Sequence, residues 1–414
     1  MSKSISDVLD VNREYRRPFG LKAEKTINRV TFNPSTANPG DTLYVHIPKL
    51  SDNVVLVPGS IGLIFKLNKG TGAHANNTLV NNIGHALISR MRVLYGGETL
   101  QDTQRIDLYN IYGDLFLLKR ERDNMLREGI SSSNMRKLRT AAGDKVTTDA
   151  AEVALSQVHG SKYRIPINHP ILDSHGVFYP KALRNTLTFE ITLPPHASIT
   201  ISSDVSKSYT YDLSNIELEY ECIVSEDLAR EAQVAYQVSK GFYYENILLH
   251  KTFTIDKAAT TVVNEHVNIP RRSMTGILCL FTESYTAGAR DTEKFVNPNI
   301  TKVEVNVDGM PNKLYSKGML PTDFWDSIIR RYGQTDNLTQ KDFYKDKFAL
   351  WVDLRTYPSN EIHGNGLLLN STKDGVKLQI NREVHGTGNI TCHMYVVADA
   401  LMEIVDSDLK SILY

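Results

Sequence analysis

The chain carries one pattern twice, and this constrains its fold more than any other feature. Residues 31–51 run from Thr31-Phe32 to Val45-His46-Ile47-Pro48-Lys49-Leu50-Ser51, and residues 252–273 run from Thr252-Phe253 to Val267-Asn268-Ile269-Pro270-Arg271-Arg272-Ser273. The copies lie 252 − 31 = 221 positions apart at the start and 269 − 47 = 222 at the isoleucine. In each copy a valine and an isoleucine two apart point to one face of a strand. Pro48 or Pro270 then ends the strand, because proline has no N–H for the ladder. A period this long signals a duplicated domain rather than a stacked repeat unit.

Further anchors follow in the same order in both halves. Arg92-Val-Leu-Tyr-Gly-Gly97 answers Glu304-Val-Asn-Val-Asp-Gly309, each a strand running into a glycine turn. A helical pattern ending in Tyr112-Gly113 answers one ending in Tyr332-Gly333, and His175-Gly176 answers His363-Gly364. Leu187 to Leu193 then meets Val376 to Arg382, and Ile216 to Cys222 meets Ile390 to Val396. The last offset is set at 390 − 216 = 174, because a slip of one residue would turn the apolar face outward. The offset falls by 220 − 188 = 32 between Gly113 and His175, and by 189 − 174 = 15 between Leu187 and Ile216. The first half therefore carries insertions of about those lengths there, in stretches rich in Ser, Thr, Asp and Lys that suit surface loops.

With 414 residues the chain has room for two ordinary domains. Lys+Arg 47 balance Asp+Glu 47, which argues against a dedicated nucleic-acid binder with its basic surplus. Cys222, Cys279 and Cys392 are odd in number and far apart, so they read as buried free thiols. That suits a reducing compartment. Met1 to Asp7 shows no apolar signal-peptide core, and no run is long enough for a membrane-spanning helix. The sequons at Asn76, Asn299, Asn337, Asn370 and Asn389 are accordingly read as chance matches.

The expected plan is all-β: two tandem eight-stranded antiparallel jelly-roll sandwiches with short helices in loops and between the barrels. Residues 1–24, with Arg13, Arg16 and Arg17, read as an N-terminal arm. The first barrel covers 25–224, with a long loop excursion at 114–174, and residues 68–82 read as Gly- and Asn-rich loop. Leu87 to Tyr95 reads as strand and 105–128 as helix, with Lys119 to Asp123 its solvated face. A linker helix covers 225–241, with Ser225 as N-cap, Glu226 and Asp227 in the first turn, and Gly241 just past its end. The second barrel covers 242–405, with a helix starting near Pro321 and running through Phe324, Ile328 and Ile329. Residues 406–414 read as a C-terminal tail.

No P-loop, Gly-x-Ser-x-Gly or His-Glu-x-x-His motif occurs. The positional pairs His175/His363 and His196/His385 are the best candidates for metal ligands, but they do not reach the three or four convergent groups a site needs. They read more simply as turn residues beside glycine. Glu217, Glu219 and Glu221 could be catalytic carboxylates, but strand alternation puts all three on the outer, solvated face. The expectation is therefore no catalytic residue, no cofactor and no metal.

This pattern resembles the double jelly-roll major capsid proteins of the adenovirus-hexon-like lineage. Val93-Leu-Tyr-Gly-Gly-Glu98 and Leu320-Pro-Thr-Asp-Phe-Trp325 look most similar to those of Polintons and adintoviruses. The resemblance implies a homotrimer whose six barrels form a pseudo-hexagonal tile of an icosahedral shell, with no active site to transfer. It implies neighbouring capsomers, penton and minor capsid proteins as partners, and it allows an inner membrane. It further implies a virion location after synthesis in the host cytoplasm. Two alternatives stand beside it. A two-jelly-roll glycan-processing hydrolase would need a carboxylate pair in a cleft between the barrels. A lectin-like attachment protein would present an aromatic groove, for which the 20 tyrosines supply raw material.

Overall fold

A computed structural model describes residues 23–69, 78–125, 127–130, 162–201, 211–260, 262–284, 290–312, 315–356, 364–369 and 375–414. The first half contains β1 (Glu24–Thr31), β2 (Thr42–His46), β3 (Val54–Leu56), β4 (Gly62–Lys69), β5 (Thr78–Leu79), β6 (Arg90–Tyr95), β7 (Glu98–Gln104), β8 (Lys162–Pro166), β9 (Leu187–Thr192), β10 (Thr200–Ile201) and β11 (Tyr211–Val224). The second contains β12 (Gly241–Asp256), β13 (Val263–Val267), β14 (Met274–Glu283), β15 (Ile300–Val307), β16 (Met310–Pro311), β17 (Ala349–Asp353), β18 (Val376–Arg382), β19 (Asn389–Val405) and β20 (Asp408–Leu413).

In the first half one sheet has the order β1-β11-β4-β8 and the other β2-β9-β6-β7. In the second half the orders are β12-β19-β14-β17 and β13-β18-β15-β16. Counting these eight strands within each half, both halves read first-eighth-third-sixth and second-seventh-fourth-fifth. The ladders between these strands are antiparallel. Two four-stranded antiparallel sheets wound this way form a jelly roll, so the chain is a double jelly roll. The added short strands also correspond: β3 extends the first barrel beside the Cys222–Val224 end of β11, and β20 extends the second beside the Leu401–Val405 end of β19.

Local chemistry explains why the repeat anchors were readable. Gly96 and Gly97 have φ of 58° and 93°, and Asp308 and Gly309 have 51° and 81°. Two successive left-handed residues join Tyr95↔Glu98 and Val307↔Met310. They are the mark of a type I′ hairpin, which matches the strand twist. Gly176 and Gly364 occupy the loop before the seventh strand of each barrel with φ of 77° and 78°. A side chain there would be strained in both. Gly62 and Gly276 each meet a close approach from the sixth strand of their barrel. Both lie in the third strand. A Cβ on Gly62 would come within 2.5 Å of Arg164 Nε, and one on Gly276 would overlap Trp351 Cη2.

The first anchor is corrected by the ladder. Ile47 N–H bonds Leu187 O, while Val267 pairs with Val376. Since Leu187 corresponds to Val376, Ile47 corresponds to Val267 and the offset is 267 − 47 = 220. Glu265 thus takes the place of Val45, half-buried and paired with Lys251 of β12 at 2.8 Å. A slip of two keeps every side chain on its face, so hydrophobic pattern alone could not detect it.

Several expected boundaries change. The helix at 105–128 is two helices, Ile106–Asp114 and Lys119–Asp123, because Leu118 is extended (ψ 147°) and starts a new one. The strand expected from Leu87 begins at Arg90. The 68–82 loop contains the end of β4 and β5, and β5 pairs with β10. The 114–174 excursion is not all insertion, for it contains β8, a barrel strand carrying buried Tyr163 and Ile165. The extra residues therefore lie before β8: Gly113 to Lys162 spans 162 − 113 = 49 positions, against 349 − 333 = 16 from Gly333 to Ala349. Residues 406–414 are not a tail, since they include β20. Of the arm, residues 1–22, including Arg13, Arg16 and Arg17, lie outside the described residues, and β1 already begins at Glu24.

Between the barrels lies the helix Glu226–Ser239. Ser225 Oγ accepts the Leu228 N–H at 3.4 Å, and Glu226 and Asp227 face the positive end of the helix dipole. Ala229, Ala232 and Tyr236 form its buried face. The left-handed residue at its end is Lys240 (φ 61°), not Gly241. Gly241 is needed for another reason: a Cβ there would overlap Met402 O. Ser225→Ala should cost about 1 kcal/mol of stability, read as a lower denaturant midpoint with unchanged slope. An unchanged midpoint would show that the cap is dispensable.

Candidate assembly surface and the seam between the barrels

One apolar core runs through both barrels, from Leu43, Val45 and Phe189 to Val352, Val396 and Met402. The two Tyr-Gly anchors meet in it. The Tyr112 and Tyr332 rings make an edge contact at 5.7 Å, Phe116 stacks on Tyr332 at 4.7 Å, and Tyr112 meets Phe295 at 5.0 Å. Tyr112 and Tyr332 are the last aromatics of the helices Ile106–Asp114 and Pro321–Tyr332, so each barrel contributes its one conspicuous helix to the junction. Burial pushes both phenols up, Tyr112 well above the ordinary range.

Around this aromatic cluster the seam is polar and buried. Asp107 Oδ2 of the first barrel receives Arg290 Nη2 of the second at 2.6 Å, and Arg105 Nε lies 3.1 Å from Asp107 Oδ1. Burial would raise the Asp107 carboxyl, but the two guanidinium groups outweigh it and hold it below the usual carboxylate range. Arg290 also donates to Ser198 O, and Tyr395 OH to Arg105 O. Arg122 Nη2 donates to Glu293 Oε1 at 2.7 Å, where Asn81 also donates. Arg331 bridges Glu245 Oε1 and the Tyr109 hydroxyl, with Tyr109 OH 2.9 Å from the same carboxylate. At the next contact Tyr244 OH and Asn246 Nδ2 both donate to Leu100 O. Polar groups tied to one another in this way, most of them buried, admit few alternative arrangements, which fixes how the barrels sit together.

The C-terminal strand closes the seam. Tyr414 OH donates to Thr99 O at 2.8 Å, Arg272 N–H bonds Tyr414 O at 2.7 Å, and Arg271 sits over the Tyr414 ring. Arg184 N–H bonds Ser407 O, and its guanidinium meets Asp408 at 2.7 Å.

The expected site residues fall out as follows. Glu219 is not solvated: it is buried and held by Arg29 at 2.7 Å and Arg127 at 2.9 Å, which keep its carboxyl below the usual range although burial opposes them. Glu217 and Glu221 are half-buried, Glu221 paired with Lys25. Arg122 is likewise not on a solvated face but in the seam. His175 is buried, shares a hydrogen bond with Ser239 Oγ at 2.9 Å, and packs on Tyr236 and Phe242. His363 lies outside the described residues, while His196 and His385 sit in separate loops of different barrels. Among the described residues no group of three His, Cys, Asp or Glu could hold a metal ion, and no helix is long and apolar enough to cross a membrane. The three cysteines are free and buried, and the structure brings Cys279 and Cys392 into thiol contact, where burial pushes the Cys392 thiol well up. Sequence reasoning missed His169 and His393, whose burial follows from long-range contacts, barrel against barrel for His169 and strand pairing for His393, that no local motif announces.

Large apolar side chains stay exposed on regular elements: Ile27 and Val30 on β1, Tyr44 on β2, Val234 and Val238 on the linker helix, and Met310 on β16. Among the described strands β1 pairs with β11 on one side only, so it also presents a backbone edge.

No protein-family model matches the chain, and no curated protein matches it in sequence. Solved structures do match over nearly its whole length. The capsid of the virus PBCV-1 matches with a TM-score of 0.62 at 11% identity, covering 96% of this chain and 99% of that one. The Faustovirus major capsid protein matches at 0.60 and 9% identity, covering 95% and 93%. The mavirus major capsid protein matches at 0.51 and 9%, covering 91% and 87%. At such identities the likeness lies in the fold: the chain has the double jelly-roll architecture that these capsid proteins share.

Proposed function

We propose that this chain is a major capsid protein, a structural rather than catalytic one, that assembles as a homotrimer into pseudo-hexagonal tiles of an icosahedral shell. The observation that carries the reading is the identical winding of two barrels on one chain, joined by a buried polar seam. Two similar barrels around a threefold axis give six similar edges, and one protein can then tile a surface with nearly equivalent contacts. The exposed apolar residues on β1, β2 and the linker helix supply contact area for further copies. The proposal divides the chain into an arm (1–24), a barrel (25–224), a linker helix (225–241) and a second barrel (242–405), which β20 extends. Its location would be the virion, its partners neighbouring capsomers with penton and minor capsid proteins, and its nearest lineage that of Polintons and adintoviruses.

The test is assembly of the full chain. Light scattering at micromolar concentration should give three times the 46.6 kDa chain mass, stable on dilution because interfaces of this kind bury more than about 2,000 Å². Electron imaging should show hexagonal tiles or shells. A monomer under all conditions, or one that binds glycans through a cleft between the barrels, would overturn the reading in favour of an attachment protein or hydrolase.

A further inference from the structure

His169 sits where the barrels touch, and its hydrogen bonds leave room for only one protonation state. The ring is 3% exposed and lies between Phe189 of the first barrel and Tyr244 of the second, each 5.7 Å away. Its Nδ1 accepts the Ile171 N–H at 3.2 Å, so this nitrogen carries no proton. Its Nε2 must then be the N–H, and it donates to Gln101 Oε1 at 3.1 Å. The chain of bonds continues across the seam. Gln101 Oε1 also accepts the Ile247 N–H at 3.4 Å, Gln101 Nε2 donates to Thr103 Oγ1 at 2.9 Å, and the Thr103 hydroxyl donates to Ile247 O. Both backbone polar groups of Ile247 on β12 are thus met by β7 through a pair of side chains that His169 orients.

We propose that this junction is an acid-sensitive latch: protonating His169 breaks the contact of β7 with β12 and frees the two barrels to shift against each other. A second proton could enter only at Nδ1, where the Ile171 N–H already points. Two donors would then face each other, and the turn Pro170–Asp173 would lose its cap. The cation would also stand without a counter-charge. The groups packed on the ring are the Gln101 amide of β7, the Phe189 ring of β9 and the Tyr244 phenol of β12; Asp173, the acid of its own turn, is exposed and does not offset the burial of the ring. Beyond Tyr244 lie Tyr414 and Arg271.

Burial alone lowers the His169 pKa, to about 3. The folded value lies below the unfolded one, so the contribution is complete above about pH 6.5 and is lost as the pH falls towards about 3. An opened junction, in which the ring regains its ordinary pKa, should therefore be favoured about thirtyfold more at pH 5 than at pH 8. The inference rests on the barrel contact alone and holds whether or not the chain builds shells.

Hydrogen exchange of the full chain at pH 8 and pH 5, corrected for intrinsic rates, tests it. Segments 98–104, 167–173 and 244–250 should open about thirtyfold more at pH 5, and His169→Gln, which keeps a donor towards Gln101, should abolish the increase. His169→Asn, which keeps an acceptor for Ile171 N–H, serves if the glutamine variant does not fold. His393, held near pKa 4 by burial, lies in β19 and would loosen the second barrel, including β12, so the first-barrel segments 98–104 and 167–173 separate the two. Wild-type segments that do not respond to acid, or a response unchanged in the variants, would overturn the latch.

Discussion

Asp107→Ala is expected to destabilise the protein by about 3–5 kcal/mol, because it removes the carboxylate that pairs with the buried guanidinium of Arg290 and also meets the half-exposed Arg105. Arg290 is 4% exposed and Asp107 2%, so neither charge could be hydrated in place. The loss should fall on the join between the barrels, since Asp107 belongs to the helix Ile106–Asp114 and Arg290 to the stretch between β14 and β15. The pair itself need not be a large net gain over an apolar contact of equal size, for desolvation offsets much of the attraction. A double-mutant cycle tests this distinction. Arg290→Met in the Asp107→Ala background should recover part of the loss, because it removes an orphaned charge. Additive losses in urea unfolding would mean that the two groups act independently and that the seam is not held as described. The depressed Asp107 carboxyl adds a pH dependence: its contribution is present at neutral pH and is lost as the pH falls through the folded value, below the usual carboxylate range.

The sequence showed the duplication but not the seam, and the reason is physical. Turns and strand alternation are local. Gly97, Gly309, Gly176 and Gly364 are required by positive φ at one residue each, so they leave a mark that can be read from a single chain. Tyr112 and Tyr332 were readable as matching positions, but their meeting in one cluster depends on how two domains dock. The same limit explains Glu219 and Arg122. Alternation correctly placed Glu219 on the outer face of β11, but that face is covered by Arg29 and Arg127 from elsewhere in the chain. A run of alternating charge, Lys119 to Asp123, contains a buried residue because its partner Glu293 lies 293 − 122 = 171 positions away. The barrel itself could be inferred because hydrophobic period is a property of each strand, whereas the register between strands could slip by two without changing a single inward residue.

The C-terminal strand looks like a tail in the sequence for a related reason. Its two-residue turn, Asp406-Ser407, adopts φ of 50° and 68°. It does so without the glycine that usually announces a type I′ hairpin. Deleting 406–414 should therefore cost far more than removing a tail. Leu409, Ile412 and Tyr414 are half-buried against the core. At about 1.5–3 kcal/mol for each such side chain when fully buried, half-burial of three amounts to roughly 3 kcal/mol. The bonds from Tyr414 to Thr99 and Arg272, and from Ser407 to Arg184, would vanish as well. Each is a net contribution of about 1 kcal/mol. The deletion would also bare the Leu401–Val405 edge of β19, a template for pairing with other chains. The expected result is a chain whose denaturant midpoint drops markedly, whose barrels become cleavable at the linker 225–241, and which aggregates on warming. Supplying the missing segment as a free peptide should restore protease resistance, because the edge it pairs with remains intact. A truncated chain as stable and as protease-resistant as the full one would show that β20 does not clasp the barrels together.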